Sequence, residues 1–195
     1  MSEPNEKLRR DLQILEAMAD EMDEYLRSQT LFWPMMKGNL PRLTIGGYLM
    51  RQHRLESLQD LLDDTDQERL KSAKDNFNAA LVEKIVSFER RAHDELRARL
   101  RQWGEYLKEL HDKSLGMGDY YKSHVQTRAM IAALVEKLSE RPYKLDEGVQ
   151  DQLDIYDKVL RNYWMPGEFT WPMEWMDAYP ESEYWWLYGR PRSGR

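Results

Sequence analysis

The chain has 195 residues, a formal net charge of −6, 33% charged and 11% aromatic residues, and no cysteine. The missing cysteines exclude a disulfide framework, thiol catalysis and a thiolate metal site. The acidic balance argues against nonspecific nucleic-acid binding and against adsorption to an anionic membrane, while seven Trp and eleven Tyr are more anchors than a disordered chain carries.

The N-terminal MSEPNEKLRRDL has no apolar segment of the signal-peptide kind, and no apolar run approaches the ~18 residues of a membrane span. The expectation is a cytoplasmic protein. A first helix begins near Pro4-Asn5 and ends near Gln29. Leu8, Leu12, Leu15, Ala19, Met22 and Leu26 recur at steps of three and four and share one face. Residues 31–43 form a loop, with Pro34, Pro41 and the turn signal Gly38-Asn39. Phe32, Trp33, Met35 and Met36 are its expected apolar anchors. Thr44 caps a second helix over 45–62, where Gly46-Gly47 permits close approach of another backbone.

Asp63-Asp64-Thr65-Asp66 supplies caps for the next helix. From Leu70 to Leu110 an apolar stripe runs through Phe77, Leu81, Ile85, Phe88, Ala92, Leu96, Leu100 and Trp103 without a proline. One helix over 66–113 would be about 70 Å long. It must bend near Gly104 or project, and a projecting apolar stripe needs a partner, which predicts a homodimer. Gly116 and Gly118 end it. Helices over 120–139 and 146–163 follow, and nothing alternates with period two long enough to be a strand.

The last 32 residues differ. They hold Trp164, Trp171, Trp175, Trp185 and Trp186 with Phe169, and Pro166, Pro172, Pro180 and Pro191 prevent a long helix. The predicted architecture is therefore all-α: an antiparallel bundle of about five helices over 1–163 with one very long central helix. An irregular aromatic segment over 164–195 wraps over it as a clasp or presents a recognition surface.

Catalytic patterns are sparse. His53 has Glu56 three residues later and His93 has Glu89 four residues earlier, a weak candidate metal set that lacks the paired Glu-x-x-His units of a di-metal bundle. The order His53, His93-Asp94, Asp119 resembles the ligand pattern of HD-domain phosphohydrolases, in which the His-Asp pair ends an apolar stretch; here it stands in a charged one. Phosphate loops and a nucleophile elbow are missing. In the cluster Arg90, Arg91, Arg97, Arg99 and Arg101, the pairs Arg90–Asp94, Arg91–Glu95, Glu95–Arg99 and Arg101–Glu105 sit four apart, the pattern of a solvated helix face. The sequence reads as a non-enzymatic helical interaction or assembly protein with no cofactor, its partner a second copy or another protein and neither nucleic acid nor membrane. The alternatives are a metal-dependent helical-bundle enzyme using His53, Glu56, Glu89 and His93, and an aromatic-groove binder of a small ligand or peptide. For the interaction readings, the candidate contact residues are Trp164, Phe169, Trp171, Trp175, Trp185 and Trp186.

Overall fold

The computed structural model describes residues 3–36, 38–112 and 120–192. Helices dominate: α1 (Glu3–Arg27), α2 (Ile45–Ser57), α3 (Asp64–Glu83), α4 (Ile85–His111), α5 (Tyr121–Ser139), α6 (Val149–Tyr163) and the single turn α7 (Glu181–Tyr184). The all-α class is as the hydrophobic periodicity predicts. The chain forms two compact units, Met1–Glu95 and Leu96–Arg195.

In the first unit α1 buries Leu8, Leu12, Leu15, Met22 and Leu26 as expected. Arg9 bonds Asp66, Glu16 bonds Arg69 and Asp23 bonds Lys84, so sequence rises together along α1 and α3 and the two helices run parallel. Asp11 meets Arg54, and Met18 lies beside Gly47, so α2 runs against α1. The caps predicted from sequence form. Thr44 accepts from the Gly47 amide at 3.0 Å and Asp63 from the Asp66 amide at 2.9 Å. Each satisfies a donor that the helix itself leaves unpaired.

The long helix expected over 66–113 is two helices. Lys84, at φ −125° and ψ 39°, leaves helical conformation between them. Three β-branched residues with low helix propensity, Val82, Ile85 and Val86, flank the interruption and are exposed. Lys84 donates to Asp23 and Glu83. Phe77 before the break and Phe88 after it meet edge to face at 6.1 Å, with Phe77 stacked on Tyr48 at 3.9 Å. Gly104 does not interrupt the helix, since α4 continues through it to His111. Apart from the exposed Ile85, the residues of the stripe are buried within the chain. Its burial therefore requires no second copy, and the reason for predicting a homodimer falls away.

Two further expectations fail here. Met36 is 81% exposed, so it does not anchor its loop. Arg91 and Glu95 do not lie on a solvated face. Arg91 donates to the main-chain oxygens of Ser28 and Thr30 and covers the Tyr25 ring at 4.6 Å. Glu95 is fully buried and accepts from the Gly46 amide at 2.9 Å, so a side chain of α4 reaches the Gly46-Gly47 pair. The Glu95 oxygen there satisfies an amide that the first turn of α2 leaves unpaired.

In the second unit Arg97 pairs with Asp146, Gly104 faces Tyr156, and His111 meets Tyr163, so α4 and α6 run parallel. Arg128 of α5 pairs with Asp157 and Tyr121 packs edge to face on Trp164, so α5 runs against α6. The aromatic segment is not wholly irregular. β1 (Trp164–Phe169) pairs antiparallel with β2 (Tyr188–Pro191). Local pattern hid this sheet because WMPGEF carries a proline and a glycine, which demote a strand in sequence. The expected stop at Gly116 and Gly118 lies outside the described residues.

Candidate functional site

The aromatic segment is held to the second unit by specific contacts. Trp186 is 1% exposed, with the Arg128 guanidinium 5.0 Å above its ring and its main-chain oxygen accepting from the Tyr121 hydroxyl. Burial pushes that phenol well above its ordinary pKa, so it remains a donor. Tyr179 is buried between Trp171 at 4.9 Å and Tyr184 at 5.0 Å. Its carbonyl accepts from the Tyr188 hydroxyl at 2.7 Å.

The six aromatic candidates have different roles. Trp186 and Phe169 are buried, while Trp164, Trp171, Trp175 and Trp185 are half-buried. Trp164 and Trp185 meet edge to face at 5.3 Å, and Arg161 caps Trp185 at 3.7 Å. Trp171 and Trp175 form a separate pair at 6.1 Å.

Between the hairpin and the start of α5 lies a trough of about 760 Å³. Tyr121 and Phe169 floor it and are buried; Met165 and Pro166 line one wall. Lys122, Arg190 and Glu168 are its charged residues and all three are exposed. Gly189 permits the shape. Its φ is +140°, and a Cβ there would collide with the Met165 oxygen and stand 3.0 Å from both Pro166 Cα and the Trp164 ring. The ladder carries a bulge: Pro166 opposes Gly189 and Phe169 opposes Tyr188, so Gly167 and Glu168 have no partner across β2.

Of the candidates named from sequence, only Phe169 lines this trough. Tyr121, Lys122 and Arg190 gave no signal, because the site is assembled only when the start of α5 meets two strands that lie far from it in sequence. A second cavity of about 570 Å³ runs along α1 and α3, but its Arg69 and Glu16 already form a two-pronged ion pair at 2.8 and 2.6 Å.

The candidate metal ligands are placed as follows. His53 and Glu56 are half-buried on α2, and Glu56 pairs with Lys74. His93 is buried on α4, its Nδ1 donating to the main-chain oxygen of Glu89 at 2.9 Å, which is an ordinary helix-turn contact. Asp94 is exposed, and Asp119 lies outside the described residues. Among the described residues, no group of three or more His, Asp or Glu side chains is placed to hold a metal ion, and no helix is long and apolar enough to cross a membrane. Comparison with protein-family models, curated proteins and solved structures finds no match.

Proposed function

We propose that the protein is a non-enzymatic interaction protein whose binding site is the trough beside the aromatic hairpin. The observation that carries this reading is the composition of the trough: a buried aromatic floor beneath two exposed cations, in a concavity of the size that ligand sites use. Lys122 and Arg190 make no ion pair among the described residues, so their charge is available to an occupant. Self-association is not part of this reading, since the stripe that suggested it is buried within the chain.

An anionic aromatic probe tests the reading. Anilinonaphthalene sulfonate is expected to bind one saturable site on the wild-type protein. The double variant Lys122→Glu, Arg190→Glu is expected to bind it about tenfold more weakly while keeping its circular dichroism and melting temperature. Equal binding by that variant, or no saturable binding at all, would remove the trough from the reading.

A further inference from the structure

We infer that the trough receives an extended, acidic stretch of a partner polypeptide; this rests on the trough being a binding site, as proposed above. The openness of the site favours a chain over an enclosed small molecule. Pro166, Gly167 and Glu168 stand exposed along one side and Lys122 and Arg190 are exposed as well, while Phe169 and Tyr121 lie buried beneath. An occupant therefore lies along a floor rather than entering a pocket.

The bulge favours an occupant with main-chain groups of its own. Gly167 and Glu168 are exposed and have no cross-strand partner on β2, which leaves this stretch of main chain accessible to an added extended chain. A Cβ on Gly167 would find only Gly189 Cα, at 3.7 Å, which is ordinary contact.

Charge selects the sequence of the occupant. Two cations face one carboxylate, Glu168, in the trough. An extended chain presents alternate side chains to opposite sides. A stretch alternating acidic with apolar residues can therefore offer carboxylates to Lys122 and Arg190 on one side and apolar groups on the other. Long-range attraction between opposite charges also speeds encounter and falls with salt.

The test is fluorescence anisotropy of the full-length protein with a blocked, dye-labelled octapeptide alternating Glu and Val. Its Lys–Val counterpart serves as control, and decanoate as a small amphipathic acid. The expected result is saturable binding of the Glu–Val peptide and none of the Lys–Val peptide. Lys122→Glu or Arg190→Glu should weaken binding about tenfold, and Glu168→Lys should tighten it about threefold. All three substitutions are at exposed positions, and the gain in the last is a readout that misfolding cannot mimic. Decanoate or anilinonaphthalene sulfonate binding with no peptide binding overturns the peptide occupant while the trough remains a binding site. Equal binding of both peptides, or affinity unchanged by all three variants, also overturns the inference. If neither peptide nor the sulfonate binds, the trough reading falls with it.

Discussion

His124 stands half-buried on α5 with its ring stacked on Tyr106 at 4.5 Å. Burial disfavours the imidazolium and lowers its pKa below the ordinary 6.5, outweighing the opposite pull of Glu109. The unfolded chain therefore takes up a proton at higher pH than the folded one. Stability from this residue is present above pH 6.5 and is lost as pH falls through that value toward the lowered folded pKa. Thermal melts of the wild type and His124→Gln between about pH 7.5 and pH 5 check this. The wild type is expected to lose more melting temperature on acidification than the variant. A gap that does not change with pH would refute it.

Along α4, Gly104 occupies the position where sequence suggests a bend, yet the helix passes through it. The glycine serves packing instead. A Cβ at this position would stand 2.5 Å from the Tyr156 hydroxyl and 2.9 Å from its Cζ, so the missing side chain makes room for a ring from α6. Gln152 holds that hydroxyl at 2.8 Å. Alanine is better than glycine in a helix interior by about 1 kcal/mol. Gly104→Ala is nevertheless expected to destabilise the protein, because the rigid ring must swing out. In a Tyr156→Ala background the same substitution is expected to stabilise by about 1 kcal/mol. Denaturant melts of the four proteins give the coupling, and additive effects would contradict the packing role. The same contrast applies at Lys84, where the helix does break although neither proline nor glycine marks the place.

At the scale of the whole molecule, each unit depends on contacts between segments distant in sequence. In the second unit Phe169, Tyr179, Trp186 and Leu187 are buried, and Trp186 takes both the Arg128 guanidinium and the Tyr121 hydroxyl. Burying one large apolar side chain contributes roughly 1.5–3 kcal/mol, so four together rival a typical total stability of about 5–15 kcal/mol. Truncation after Tyr163 also removes the main-chain acceptor of the Tyr121 hydroxyl and the ring that Arg128 covers. The truncated chain is expected to aggregate or to melt far below the full chain, measured by calorimetry and light scattering. An unchanged melting temperature would show that the aromatic segment is dispensable for folding.

The apolar stripe of α1, the Thr44 and Asp63 caps and the all-α class were legible in the sequence, because each depends on residues within a few turns of one another. Helical periodicity and capping are local physics. The inward turn of Arg91 and Glu95 was not legible: at a spacing of four they satisfy the rule for an exposed pair, and their burial is made tolerable by partners distant in sequence, among them the carbonyls of Ser28 and Thr30 and the amide of Gly46. The hairpin was hidden for a related reason, since its first strand looks broken until Gly189 closes against it. By itself the sequence determined the all-α class, the buried face of α1, the Thr44 cap of α2, and that the aromatic residues gather at one end. Tertiary structure alone decided which charges are buried, that the long stripe is shared by two helices, and that Lys122, Phe169 and Arg190 border one trough, because each depends on partners brought together only by folding.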